Sequence, residues 1–218
     1  DELLRHLVGH ATLDVGRLFP PPYAEQRGAA EVALSRALTV LTGGPGTGKT
    51  TTVVNLLACV LAGNPDCRIR LAAPTGKAAA RMLEAIRSAA AHLPADLRER
   101  LPAESFTIHR LLGARPGSDE FRHHAGNLLP TDFLVVDEAS MLDVTLARQC
   151  LEALPAHARL VLLGDRDQLT AVQPGNVFAD LTAPAAMSST SLRRLADLTG
   201  WRDDALAQAL QPFKSDGE

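Results

Sequence analysis

Thr39-Val-Leu-Thr42 runs directly into Gly43-Gly-Pro-Gly-Thr-Gly-Lys-Thr50, and this junction decides the fold. The second part fits G-x-x-x-x-G-K-[ST], the P-loop pattern. The first part reads as a short buried strand. Downstream, Val53, Leu56, Leu57, Val60 and Leu61 recur at helical spacing, so a helix follows. Strand, glycine loop and helix together make a phosphate cradle. Glycines let backbone N–H groups turn inward toward phosphate oxygens. The helix N-terminus adds about half a positive charge, which favours an anion. A glycine-rich turn followed by a chance Lys-Thr accounts for neither the strand nor the helix. The expected nucleotide-binding set is Gly43, Gly44, Pro45, Gly46, Thr47, Gly48, Lys49, Thr50 and Thr51. Lys49 is placed to reach the β- and γ-phosphates, and the Thr50 hydroxyl to ligate Mg²⁺.

Composition narrows the setting. The 218 residues are 46% hydrophobic, enough to bury one sizeable core. Aromatic residues make up only 4%, so that core must rest on Leu, Val and Ala. No apolar run approaches the roughly 18 residues needed to span a bilayer, so no membrane association is expected. The start, Asp1-Glu-Leu-Leu, has neither a Met nor the regions of a signal peptide, and reads as the beginning of an excerpt. Cys59, Cys67 and Cys150 are odd in number and widely spaced. They suit neither a disulfide framework nor a zinc site, and they point to a reduced, cytoplasmic setting. Net charge is −3, which argues against a general polyanion binder. Yet residues 68–122 carry ten Lys/Arg against six Asp/Glu, leaving the remainder acidic. Surface scatter and a local anion-binding face both fit that distribution.

Outward from the glycine loop, the chain alternates. An Ala-rich helix is expected from Ala24 to Leu38, after the stiff Pro20-Pro-Pro22 break. Ile69-Arg-Leu-Ala-Ala73, Phe133-Leu-Val-Val136 and Leu160-Val-Leu-Leu163 read as further buried strands, with helical patterns between them, as at Ala79, Met82, Leu83, Ile86 and Ala90. The expected class is α/β: a mainly parallel sheet flanked by helices, with short helical extensions at both ends. Ligands in such sheets bind at the carboxyl ends of the strands. Residues 94–130 form a long polar connection with an apolar island at Ile108 to Leu112, a length that suggests function. The expected divisions are an extension or linker over 1–23, the P-loop α/β domain over 24–183 and a helical tail over 184–218. Helices are expected in that tail around Leu192 to Leu198 and Ala205 to Leu210.

Chemistry gathers at the strand ends. Phe133-Leu-Val-Val-Asp137-Glu138 delivers two adjacent acids whose side chains diverge. Asp137 is expected to hold Mg²⁺, and Glu138 to orient and deprotonate an attacking water. Leu160-Val-Leu-Leu-Gly164-Asp-Arg-Asp-Gln168 ends another strand. Gln168 there is either a γ-phosphate sensor or part of a Gly-Asp turn. Ala73-Pro-Thr75-Gly-Lys77 closes a strand and opens a helix, with Thr75 as a plausible N-cap. Thr75 and Lys77 could grip a nucleic-acid phosphate, and Thr107-Ile-His109-Arg110 could add a stacking ring and a cation. Thr75 as a simple cap and His109 as a structural histidine are equally open on local grounds. With few aromatics, a binding mode centred on the phosphate backbone is expected. No nuclease-like cluster of metal-binding acids is evident.

The ordered set carries a family resemblance. Gly43 to Thr50, Leu71-Ala-Ala-Pro-Thr-Gly-Lys-Ala-Ala-Ala-Arg81, Thr107-Ile-His-Arg-Leu-Leu-Gly113, Val135-Val-Asp-Glu-Ala-Ser-Met141 and Leu163-Gly-Asp-Arg-Asp-Gln-Leu169 resemble motifs I, Ia, Ib, II and III of superfamily 1 DNA helicases. Arg122-His-His-Ala-Gly-Asn127 adds a less generic likeness to the RecD family, the alpha subunits of bacterial exodeoxyribonuclease V. The resemblance covers roughly residues 11–182 well and the tail weakly, mainly Leu192 to Gly200. It implies a RecA-like P-loop NTPase domain that hydrolyses ATP and pulls on single-stranded DNA with 5′→3′ polarity. It further implies assembly with RecB-like and RecC-like subunits in DNA repair and recombination. By motif position it makes Gln26 the adenine-reading glutamine and Gln168 the γ-phosphate sensor, and Thr75 and His109 single-strand contacts. Such helicases have a second RecA-like domain that supplies arginine fingers. Nothing after Pro184 resembles it, and Arg193 and Arg194 lie too close to the first domain to serve. The implied consequence is that this chain alone turns ATP over very slowly. A non-catalytic nucleotide- or partner-binding module, and a RecD-like helicase acting without partners, are the alternative readings.

Overall fold

The computed structural model describes residues 18–20, 24–44, 46–115, 117 and 120–165. Within them a five-stranded sheet forms, in the order β1-β5-β4-β2-β3 and parallel throughout. The strands are β1 (Leu38–Thr42), β2 (Ile69–Ala73), β3 (Phe106–Thr107), β4 (Phe133–Val136) and β5 (Arg159–Gly164). The helices are α1 (Ala24–Ser35), α2 (Lys49–Gly63), α3 (Gly76–Ala89), α4 (Ala95–Arg100), α5 (Ile108–Leu112) and α6 (Val144–Glu152).

The central strands are buried on both faces, as a parallel sheet under helices requires. All four residues of β4 are buried. The period of two splits them: Phe133 and Val135 join one core, Leu134 and Val136 the other. In β5, Val161 and Leu163 face the first core, Leu160 and Leu162 the second. α1, α2 and α3 cover the first face, α5 and α6 the second. α2 is buried along Thr52 to Leu61, so its apolar character is continuous rather than one-sided. α3 is amphipathic and buries Ala79, Met82 and Ile86. Leu18 and Phe19 pack into the first core, which therefore reaches upstream of α1. Phe133 is 1% exposed and lies among the largest fully buried side chains. Phe133→Ala should lower unfolding free energy by about 3–5 kcal/mol, read from denaturant midpoints.

Two sequence expectations shift. The first helix stops at Ser35, not Leu38, because Leu38 opens β1 opposite Leu160 of β5. There, sheet pairing overrides the helical propensity of the Ala-rich run. The long polar connection is also more ordered than its composition suggests. It contains α4, the edge strand β3, and α5, which buries Ile108, Leu111 and Leu112. Beyond α5, Ala114 bridges Phe121 and His124 bridges Asn127, both antiparallel. Within Arg122 to Asn127, the Asn127 amide closes the turn by donating to the Arg122 carbonyl at 2.7 Å.

Burial raises the thiol pKa of Cys59 to about 12 and of Cys150 to about 11, and raises that of Cys67 as well. None presents a thiolate near neutral pH. Among the described residues no helix is long and apolar enough to cross a membrane. The expected tail helices and the extension up to Arg17 lie outside the described residues, as do Pro45, Gln168, Arg193 and Arg194.

Candidate active site

The register sets Thr42 beside Gly164, Val136 beside Leu162, and Ala73 beside Thr107. The loops leaving β1, β5, β4, β2 and β3 therefore emerge on one edge of the sheet. β5 separates the P-loop strand from the acid-bearing strand. The gap between them is a cavity of about 640 Å³. Lys49 and Thr50 line one wall, and Asp137 and Glu138 another, with Gly164 and Asp165 between.

Two glycines show why the loop needs its sequence. A Cβ on Gly43 would come within 2.7 Å of the Thr47 hydroxyl oxygen, which itself donates to the Gly44 carbonyl at 3.0 Å. Gly48 sits at φ +83° as the N-cap of α2 and provides no side-chain cap. The N–H groups opening α2 are thus left for an anion rather than closed by a Ser or Asp. Lys49 folds back over its own loop, with its ammonium on the Gly43 and Gly44 carbonyls, the latter at 2.9 Å.

Opposite, Asp137 is half-buried, and its Oδ1 accepts from the Glu138 N–H at 2.9 Å. Burial raises its pKa, opposed by that hydrogen bond and by the charges of Lys49 and Arg81. Such an under-compensated carboxylate would gain from a nearby dication. A carboxylate and a hydroxyl, both hard oxygen donors, suit Mg²⁺ completed by phosphate and water oxygens. Glu138 adopts φ 52°, ψ 37°, the sole non-glycine left-handed residue among those described. For a glutamate this costs on the order of 1 kcal/mol or more.

A second cavity, of about 490 Å³, shares Gly46, Thr47 and Gly48 with the first. Gln26 and Thr51 line it, together with Leu18, Phe19 and Pro20. A Cβ built on Gly48 would lie 3.9 Å from Gln26 Nε2, so the glutamine stands directly against the loop.

The remaining candidates gather at the ends of β2 and β3. Thr75 caps α3, its hydroxyl accepting from Ala78 N–H at 3.2 Å. Thr107 caps α5 in the same way on Arg110. A Cβ on Gly76 would lie 4.0 Å from Thr107 Cγ2, so the two helix starts are neighbours. Lys77, His109 and Arg110 are exposed around them. The Arg110 guanidinium lies 5.4 Å from the Phe106 ring centre, and the His109 ring meets Phe121 edge-on at 5.8 Å. Capping occupies the Thr75 oxygen as an acceptor and leaves its O–H as a donor.

The structure adds Arg81 to the first cavity. It sits one helical turn beyond Lys77 on α3, and its charge reaches Asp137. The signal was its i, i+4 spacing from Lys77, but the partner it faces comes from β4, which spacing on one helix does not reveal.

Fold and site together define a P-loop nucleotide-hydrolase domain of the α/β class. Residues 26–174 match the model of the family described as the AAA domain, and the chain belongs to that family. Over 215 residues it is 49% identical to the RecBCD enzyme subunit RecD of Mycolicibacterium smegmatis, covering 95% of this chain and 39% of that protein. The RecBCD enzyme subunit RecD of Mycobacterium tuberculosis H37Rv is 56% identical over 174 residues, 77% of this chain and 30% of that protein. An ATP-dependent RecD2 DNA helicase of Deinococcus radiodurans is 40% identical over 151 residues, 69% and 18% of the respective chains. The chain thus spans well under half the length of these relatives, and what it resembles in them is a RecD-like helicase motor domain.

Proposed function

We propose that this chain is the first motor domain of an ATP-dependent 5′→3′ DNA helicase or translocase subunit of a RecBCD-type exonuclease, acting in double-strand break repair and recombination. The observation that carries it is the single cavity bringing Lys49 and Thr50 face to face with Asp137 and Glu138. The neighbouring group at Thr75, Lys77, His109 and Arg110 supports a DNA-facing role on the same sheet edge. The relatives' names support RecB-like and RecC-like subunits as partners.

In this reading, the loop N–H groups and Lys49 hold the phosphate chain, and Gln26 lies where the base would rest. Thr50 and Asp137 would hold Mg²⁺, which supplies neutralisation of phosphate charge. Glu138 accepts the proton of the attacking water, and its backbone conformation fixes where its carboxylate is presented. Gln168 is assigned to γ-phosphate sensing by motif position. An arginine finger contributes about 10³–10⁵ in rate, so turnover by residues 1–218 alone should be slow. Comparing single-turnover rates of this segment with the full-length protein tests that.

The DNA face is tested in the full-length protein by oligonucleotide anisotropy. His109→Ala should weaken single-strand affinity by roughly fivefold or more, as loss of a stacking ring does. Thr75→Ala should weaken it too and also cost about 1 kcal/mol of stability through the lost cap, whereas Thr75→Ser should restore both. Nucleotide affinity should not change. Unaltered DNA binding in both alanine variants returns Thr75 to a simple cap and His109 to a ring packed on Phe121.

A further inference from the structure

We propose that Asn55 and His92 form a latch that positions the wall of the nucleobase pocket and thereby sets how much the base contributes to nucleotide binding. This rests on reading the cavity beside Gln26 as the base pocket. Leu18, Asn55 and His92 come from three separate parts of the chain, and all three line that cavity. They are also joined to one another. Asn55 is 3% exposed on α2, and its Nδ2 donates to the Leu18 carbonyl at 2.6 Å. Its Oδ1 lies 2.9 Å from His92 Nε2. A main-chain carbonyl only accepts, so the contact with Leu18 fixes the amide with its oxygen toward the histidine.

The far side of the ring meets another acceptor: His92 Nδ1 is 2.7 Å from the Ala89 carbonyl. A neutral imidazole donates from one nitrogen at a time. Donating from Nε2, it holds Asn55 and, through it, the Leu18 backbone. Donating from Nδ1, it closes onto the end of α3 instead. A buried Asn serving only the core would need a partner for its oxygen, but not one on the same cavity. Here both ends of the amide terminate on cavity-lining residues. Among the described residues Leu18 to Pro20 pair with no strand, and Asn55 gives the segment a backbone anchor beside Gln26.

His92 is exposed, so its replacement leaves the core intact, whereas removing buried Asn55 risks unfolding. The test therefore centres on His92 in the full-length protein, with thermal unfolding as a fold control. Affinities are measured for two probes with Mg²⁺: ATP, and inorganic tripolyphosphate, which has no base. Wild type should prefer ATP. His92→Ala should weaken ATP roughly 3- to 10-fold, the worth of one net hydrogen bond, and leave tripolyphosphate within about twofold. His92→Gln, with an amide donor able to reach Asn55, should recover part of the loss. Unchanged ATP affinity in His92→Ala overturns the latch, and so does equal weakening of both probes. A wild type that binds both probes equally overturns the base-pocket reading itself.

Discussion

Lys49→Ala is expected to reduce DNA-stimulated ATP hydrolysis of the full-length protein by about 100-fold or more, the scale seen when a single phosphate-directed donor is removed. The geometry explains why the loss should fall on phosphate binding rather than on folding. Lys49 opens α2, and among the described residues its ammonium donates to the Gly43 and Gly44 carbonyls of its own loop. The residues that carry α2 into the core begin at Thr52. Thermal unfolding of the variant without nucleotide should therefore match wild type. Nucleotide should protect wild type against unfolding and protect the variant far less. Retained turnover in Lys49→Ala would remove the P-loop from the reaction.

Glu138→Gln separates binding from chemistry. The amide keeps the size of the side chain and the left-handed backbone, while removing the proton acceptor. A general base contributes about 10²–10⁴ in rate, and turnover should fall by that order. ATP affinity should persist, because Asp137, Thr50 and the loop are untouched. Stopped-flow binding with quenched-flow hydrolysis reads the two apart. Full turnover in Glu138→Gln would reassign the base. Asp137→Asn should behave oppositely and weaken Mg²⁺-dependent binding first. Because burial raises the Asp137 pKa, its carboxylate is protonated at a higher pH than an exposed aspartate. Metal-dependent binding should accordingly be lost earlier on acidification.

The parts most legible in the sequence were those where burial is two-sided. Phe133 to Val136 and Leu160 to Leu163 are continuous apolar runs because helices cover both faces, and the glycine loop has few other backbone solutions. Ile108 to Leu112 was visible only as an apolar island, since five residues are too few to show helical periodicity. β3 is two residues long and exists through pairing with Ala72 and Ala73, which no local pattern announces. Leu38 was misplaced because an Ala-rich run and a strand start share the same apolar character. Gln26 came through family likeness alone, since one half-buried glutamine on a helix carries no periodic signal. Arg81, Asn55 and His92 acquire meaning from neighbours that are 37 or more residues away in the chain. Such contacts belong to the folded topology rather than to any local window.

Helix α3 imposes a constraint on sequence length as well as on sequence. Its start carries Thr75 and Lys77, its side presents Arg81 to the phosphate cavity, and the turn that follows carries His92. Each residue added to or removed from an α-helix rotates everything beyond it by about 100° and shifts it by about 1.5 Å. A one-residue insertion after Lys77 would leave the capped start in place. It would swing Arg81, Met82, Ile86 and His92 off their neighbours together. The stretch from Thr75 to His92 should therefore accept many substitutions on its exposed face while tolerating no change in the number of residues, a rotational phase shared by three neighbourhoods at once.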